Sequence, residues 1–501
     1  MLRKTLLRQI FLVLFGLPAA LHASVAVGLR SCDSLINLDL PDVKIQTAIS
    51  IKPSPEYEIV KRTARMPALT VTVPFCRVQG LIENTIGFEV WLPANWNGKY
   101  FAAGVGGYAG SIGYSGMVPA LARGYATSST DTGHRGGSAD FMTERQALEN
   151  YGYRGVHRTA ETAKKIISIY YEDQPRKSYF SGCSGGGYAG VANAQRYPTD
   201  YDGIISGAPG TLFIHHAGRA EWSWLADMKG TPGYIPASKD QLVSRAVLAA
   251  CDAQDGVKDG LIENPQGCKF DFTQLQCPAG KDDDSCLTPP QVETVKKLYG
   301  PMMDSAGNEV YPATAMGTPL TSEAIETRGK FYAEFWKNAV FGDPNWDPRT
   351  FKVDDVAKAD TKLGAFLNSA NPDLRPFRNH GGKIIMYHGW SDAGVSPLNS
   401  IQYYQSVEKL MGEAPTHDFF RLFLEPGMAH CGGGTGPNTF DMLSALEKWV
   451  EENKPPEKVT ASQFTDRKLV RTRALCPYPE VASYKGTGST DQAENFTCKT
   501  P

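Results

Sequence analysis

The pentapeptide Gly182-Cys183-Ser184-Gly185-Gly186 constrains this chain more than any other stretch, and it is answered far downstream by His430-Cys431. A G-x-S-x-G run set between a strand and a helix makes a sharp turn that exposes the serine hydroxyl, a nucleophile elbow. Residues 179–181 read as the end of a strand and 188–196 as the following helix. A serine and a histidine that act together must come within about 2.6–3.2 Å. Their neighbours Cys183 and Cys431 then fall within the roughly 4.4–6.8 Å Cα separation of a disulfide. One bridge would pin both loops of a serine-hydrolase site.

The N-terminus carries Arg3, Lys4 and Arg8, then an apolar run over 10–17, then small residues ending at Ala23 and Ala26. This is the pattern of a secretory leader, with an apolar run too short to span a bilayer. Residues 1–26 are expected to be removed after Ser24-Val25-Ala26, with Leu21-His22-Ala23 as the second choice of cleavage site. No later run of 18 apolar residues occurs, so the mature chain is expected to be soluble, secreted or periplasmic, with no membrane partner. Loss of the leader removes three basic and no acidic residues and takes the formal net charge from −2 to −5. That balance, with no Lys/Arg cluster, excludes a nucleic-acid groove.

Ten cysteines lie at 32, 76, 183, 251, 268, 277, 286, 431, 476 and 498. An even count in an exported chain fits five disulfides. Proximity pairs Cys251 with Cys268, Cys277 with Cys286 and Cys476 with Cys498. Cys32 and Cys76 remain once Cys183–Cys431 is accepted. No C-x-x-C or H-x-x-x-H spacing supports zinc.

Short strands are expected at 86–92, 99–103 and 124–128, a helix at 156–171, the elbow at 182–186, and a buried strand at 201–207. Strands alternating with helices build a largely parallel sheet covered on both faces. After Pro209 the texture changes to aromatics, four cysteines and an acidic loop. Alternation resumes with a strand at 383–388, a helix at 400–410, a strand at 419–424 and a helix at 440–452. The simplest architecture is α/β, one α/β-hydrolase domain formed by 27–210 and 379–501, interrupted by a lid domain over 211–378.

In that fold the triad follows the order Ser, Asp or Glu, His, each at the C-terminal end of a strand. Asp392 lies just past the strand 383–388 and His430 just past 419–424. His417, the other histidine after Asp392, precedes its strand and so sits at the wrong edge. Ser184 is therefore the expected nucleophile, His430 its base, and Asp392 the group that orients the imidazole. Gly185 supplies one oxyanion-hole amide by position, and Gly106 or Gly107 in the loop 104–108 the other.

A second chemical site lies in the lid, where Asp252, Asp255 and Asp259 alternate with glycines. Three carboxylates with the backbone carbonyls of Val257 and Leu261 could wrap Ca²⁺, which accepts flexible oxygen shells. By spacing alone a solvated acidic turn is equally good, and the pattern is not that of an EF-hand. Asp282-Asp283-Asp284 reads as a solvated hairpin tip. Trp222, Trp224, Tyr234, Phe331, Tyr332, Phe335, Trp336 and Trp346 make the lid aromatic-rich, which favours a flat apolar acyl group.

Together these stretches resemble the tannase and feruloyl esterase family, whose Cys-Ser, Asp, His-Cys signature is matched by Cys183-Ser184, Asp392 and His430-Cys431. Residues 129–134, 179–186, 203–209, 387–392 and 426–431 are also similar to the family. The resemblance implies a secreted serine carboxylesterase for feruloyl, hydroxycinnamoyl or galloyl esters, acting through an acyl-enzyme on a small aromatic ester. It also implies a structural calcium in the lid, held by Asp252, Asp255, Val257, Asp259 and Leu261. Family members that hydrolyse mono(2-hydroxyethyl) terephthalate carry glutamate after the nucleophile and phenylalanine three positions after the aspartate. Here those positions are Gly185 and Val395, so that specialisation is the alternative. A reading of a different class is a catalytically inactive, calcium-dependent carbohydrate-binding protein on the same fold.

Overall fold

The computed structural model describes residues 30–53, 58–60 and 68–501. The expected leader lies outside the described residues. Nine strands form one sheet: β1 (Val43–Ile51), β2 (Phe75–Ile82), β3 (Ile86–Pro93), β4 (Lys99–Ala103), β5 (Ala126–Thr130), β6 (Lys177–Cys183), β7 (Gly203–Gly207), β8 (Lys383–Gly389) and β9 (Phe420–Glu425). Their order is β1-β2-β3-β5-β4-β6-β7-β8-β9. The pairs β1/β2, β2/β3 and β3/β5 are antiparallel, and every pair from β5/β4 to β8/β9 is parallel. The fold is that of an α/β-hydrolase.

Successive side chains of a strand point to opposite faces, so one apolar run feeds two cores. Ile384 and Met386 of β8 enter one core, with Ile166, Ile167, Val191, Ile401 and Val407 from the helices Gly155–Tyr171, Gly185–Arg196 and Pro397–Met411. Ile385 enters the other, with Met117, Leu121, Leu446 and Trp449 from the helices Tyr114–Ala122 and Met442–Glu452. Both faces are therefore covered, and chemistry is left to the loops at the C-terminal edge of the parallel strands.

Between β7 and β8 the chain is mainly helical: Phe213–Ala226, Asp240–Cys251, Pro289–Tyr299, Ser322–Phe335 and Asp355–Leu367. The Thr288 amide donates to Gln291 Oε1 at 2.9 Å as half of a capping box, and Thr321 Oγ1 accepts from the Ala324 amide. Such caps satisfy amides that lack an intrahelical partner. One lid core is its own, around Val247, Phe272, Leu298 and Tyr299. The other is shared: Phe213, Phe335, Trp336 and Phe351 pack with Tyr108, Tyr151 and Tyr188 of the hydrolase half.

Two hairpins, Val459–Thr465 with Lys468–Leu475 and Val481–Tyr484 with Phe496–Lys499, follow the last helix. Ala474, Cys476, Ala482 and Phe496 pack with Val257, so the C-terminus clasps the acidic loop of the lid. The five disulfides join Cys32 to Cys76, Cys183 to Cys431, Cys251 to Cys268, Cys277 to Cys286 and Cys476 to Cys498. Asp282 is more than a solvated tip, because it pairs at 2.7 Å with Lys239, whose side chain is buried.

Candidate active site

Ser184 stands between β6 and the helix Gly185–Arg196 with φ 61° and ψ −121°. That left-handed conformation costs a non-glycine residue of order 1–3 kcal/mol and persists only when its surroundings enforce it. They do so by close packing. A Cβ on Gly182 would meet the backbone of Gly186 at 2.6 Å, and one on Gly187 would strike the Gly207 carbonyl at 2.1 Å. The Ser184 amide donates to the Gly207 carbonyl at 2.9 Å, tying the turn to β7. The elbow requires glycines because backbone passes backbone there.

The loop after β4 lies against this turn. A Cβ on Gly106 would sit 3.7 Å from Ser184 Cβ, and one on Gly185 would meet Gly107 O at 2.5 Å. Gly185 is the first helical residue, and its amide belongs to the helix end that has no intrahelical acceptor. Gly185, Gly106 and Gly107 thus meet at Ser184. Tyr108, next in the loop, stacks on Phe331 of the lid with ring centroids 4.1 Å apart.

Asp392 follows β8 and is buried, and His430 follows β9 with its side chain 35% exposed. His430 Nδ1 lies 2.6 Å from Asp392 Oδ2. The amides of Gly394 and Val395 donate to Oδ1 at 2.6 and 2.9 Å. Burial pushes the Asp392 carboxyl up, but hydrogen bonds from His388 and His430 outweigh it and hold the group far below the usual carboxylate range. The Cys183–Cys431 bond, with Cα atoms 5.9 Å apart, joins the residue before Ser184 to the residue after His430. His417 ends the short helix Glu413–His417 before β9 and bonds Glu408 at 2.8 Å, away from this edge.

The lid reaches the loop that carries Asp392. Arg328 donates to the carbonyls of Ala393 and Gly394, Thr318 Oγ1 donates to Trp390 O at 3.2 Å, and Ser396 Oγ donates to Ala313 O at 2.6 Å. A cavity of about 30 Å³ between lid and loop is lined by His216, Tyr311, Arg328 and Asp392 among others. Burial, with Arg328 and His430 nearby, pulls the His216 imidazole down to about 3, and its Nδ1 has no hydrogen-bond partner.

Sequence reasoning missed Arg328, His216 and His388. His388 Nε2 lies 3.0 Å from Asp392 Oδ2. Its signal was its place at the end of an apolar strand, four residues before Asp392, but the triad order directs attention only to histidines after the aspartate.

In the acidic loop of the lid, Asp252 Oδ1 accepts from the Asp259 and Gly260 amides at 3.0 and 3.1 Å, and Asp255 Oδ1 from Val257 at 2.9 Å. Asp259 Oδ1 accepts from the Leu261 amide, and its Oδ2 pairs with buried Arg473. Burial, and then the charges of Asp259 and Asp252, push the Asp255 carboxyl up. Among the described residues no three His, Cys, Asp or Glu side chains converge as a ready metal cage. The oxygen-only donor set still fits a hard cation.

A G-x-S-x-G turn, a buried aspartate bonded to a histidine, and a glycine loop lie together at the strand ends of an α/β-hydrolase fold. Residues 70–499 match the family model described as tannase and feruloyl esterase, and the chain belongs to that family. It is a carboxylic ester hydrolase, which sets aside the inactive carbohydrate-binding alternative. It is 35% identical to an uncharacterized esterase of Xanthomonas campestris pv. campestris, over 99% of this chain and 96% of that one. It is 32% identical to the mono(2-hydroxyethyl) terephthalate hydrolase of Piscinibacter sakaiensis, over 85% of each. The crystal structure of feruloyl esterase B from Aspergillus oryzae superposes with a TM-score of 0.88 at 28% identity, covering 93% of this chain and 99% of that one.

Proposed function

We propose that this protein hydrolyses esters of aromatic acids, of the feruloyl, hydroxycinnamoyl or galloyl type, through an acyl-enzyme on Ser184. Ser184 Oγ attacks the ester carbonyl carbon while His430 takes its proton, and Asp392 orients the imidazole and stabilises its charged form. The Gly185 amide and that of Gly106 or Gly107 stabilise the oxyanion. Collapse expels the alcohol, which takes the proton from His430. Water then attacks the acyl carbonyl, His430 again accepting a proton, and the acid leaves as Ser184 regains its hydrogen. The observation that carries this is the 2.6 Å bond from His430 to Asp392, on a loop bridged by Cys431 to the residue preceding Ser184.

The aromatic acyl class is supported by the names of the relatives and by the rings of Tyr108, Phe331 and Tyr332 beside the oxyanion loop. A terephthalate monoester is the second reading, favoured by the 32% identity to that hydrolase and opposed by Gly185 and Val395. Export is supported by the leader-like 1–26 and the five disulfides. We also assign structural calcium to Asp252, Asp255, Val257, Asp259 and Leu261. Burial, and then the charges of Asp259 and Asp252, push the Asp255 carboxyl up, and a divalent cation would relieve that cost.

Turnover of methyl ferulate, methyl gallate, mono(2-hydroxyethyl) terephthalate and p-nitrophenyl acetate tests the proposal. The highest kcat/KM is expected on methyl ferulate or methyl gallate. Turnover confined to p-nitrophenyl acetate would overturn the aromatic class.

A further inference from the structure

We propose that His388 is a positioning residue for the reaction, a second histidine on the carboxylate of Asp392 that sets how strongly Asp392 holds His430. This rests on the assignment of Ser184, Asp392 and His430 as the catalytic triad.

His388 lies near the end of β8 and is fully buried, as is the Asp392 side chain. Its Nε2 is 3.0 Å from Asp392 Oδ2 and 3.0 Å from the Val395 carbonyl. Both are acceptors, so Nε2 carries the proton. A neutral ring then accepts at Nδ1, and Ser400 Oγ, 2.8 Å away and also buried, is the donor there. From Ser400 through His388 to Asp392 Oδ2 the hydrogen bonds are satisfied by one tautomer.

Two consequences follow for Asp392. With Oδ1 bonded to the amides of Gly394 and Val395, and Oδ2 to two imidazoles, the carboxylate cannot turn away from His430. The His388 N–H also draws on the charge that Asp392 offers to His430, so the imidazolium of His430 is stabilised less than by a free carboxylate. Removing that donor should strengthen the imidazolium and leave less of the free base at mildly acid pH. The other charged or titratable groups facing this cluster are Arg328 and Tyr332 from the helix Ser322–Phe335, His216 from the helix Phe213–Ala226, and Tyr311 from the strand Glu309–Tyr311. All of them stay in place in the variants below, so a shift between variants belongs to His388.

The test is the pH profile of kcat/KM on methyl ferulate for the wild type, His388→Leu, His388→Gln and Ser400→Ala, with Ser184→Ala as control. A hydrogen bond to a charged group is worth about one pH unit or somewhat more. His388→Leu should therefore move the acid limb up by about one unit and lower kcat several-fold, with KM changed less than about twofold. His388→Gln, whose amide can donate from a similar reach, should bring the limb most of the way back. Ser400→Ala, which frees the tautomer, should move it upward by less. A folded His388→Leu enzyme with the wild-type limb overturns the proposal. Should that variant fail to fold, Ser400→Ala decides: an upward displacement supports it and an unmoved limb overturns it. Activity retained by Ser184→Ala would instead bring down the triad assignment, which separates the two failures.

Discussion

The cluster around Asp392 and the buried interior of the inserted lid differ in how their polar groups are satisfied. At the sheet edge Asp392 has four donors, and His388 is satisfied at both nitrogens. In the lid, both oxygens of Glu221, the hydroxyl of Tyr311, Nδ1 of His216 and Nε1 of Trp336 are buried without a hydrogen-bond partner. A satisfied network in a low dielectric is rigid, and it holds the side chains that meet there in one geometry. Unpartnered groups cost stability where they stand. The difference is between these two clusters and not between whole halves, since Glu425 and His134 of the hydrolase half are also buried without a hydrogen-bond partner.

The largest effect that would sharpen this contrast is on the sheet side. Ser184→Ala should lower turnover of methyl ferulate by about 10⁴–10⁶ while leaving the melting curve almost unmoved. Near-normal turnover by the folded variant would remove the chemistry from that edge altogether. Replacing Cys183 and Cys431 together by serine comes next. The bond spans 248 residues, so its loss should cost about 2–4 kcal/mol by chain entropy. More telling is the rate: two loops free to part by about 1 Å should lose on the order of 10² in kcat, with KM much less changed. Equal losses in kcat and stability from Cys251→Ser and Cys268→Ser, in the lid, would mean that the bridge at the site has no special role.

The sheet half was also the legible half. The runs at 383–388 and 419–424 are largely apolar, and they emerge as β8 and β9 to within a residue or two. Where boundaries slipped, backbone chemistry explains it. Gly124 adopts φ 83°, so the strand expected at 124–128 starts only at Ala126. The helix expected at 188–196 begins at Gly185, because three glycines with poor helix propensity form its first turn at the elbow. β1 and β2 escaped, although Val43–Ile51 alternates apolar and polar residues as a half-covered strand should. The lid helices escaped for a different reason. Asp240–Cys251 buries only Val243, Val247 and Cys251, a thin stripe beside an acidic loop and a disulfide that draw attention first. Contacts such as Arg328 on the Ala393 carbonyl join residues 65 apart, and no local pattern records them.

Calcium tests whether the lid is held from outside its own cores. An ion bound only to the folded state stabilises by about 2.7 kcal/mol at a hundredfold excess over Kd. Chelation should lower the Tm of the wild type by that equivalent and leave Asp255→Ala unmoved, while turnover at low temperature falls little. A wild-type melting curve indifferent to chelator, with no calcium by elemental analysis, would leave Arg473 as the sole countercharge of the loop. Calcium that restored turnover without altering Tm would give the metal a place in the chemistry and erase the division between the halves.

The smallest effect probes the lid's buried groups directly. Burial pushes the Glu221 carboxyl from an ordinary 4.5 up to about 8. Between those values the folded chain keeps a proton that the unfolded chain has released, so the unfolded state binds fewer protons and stability falls as pH rises. The contribution is whole below about pH 4.5 and is lost progressively up to about pH 8, at no more than about 1.4 kcal/mol per pH unit. Glu221→Gln, a neutral side chain of the same shape, should unfold at a higher urea concentration than the wild type at pH 8 and differ little from it at pH 5. Glu263 and Glu425, also buried and pushed up, remain in both proteins, so the variant removes only the share of Glu221 from the slope. Identical slopes for the two proteins would mean that Glu221 is satisfied in solution. The lid interior would then be as well satisfied as the cluster around Asp392.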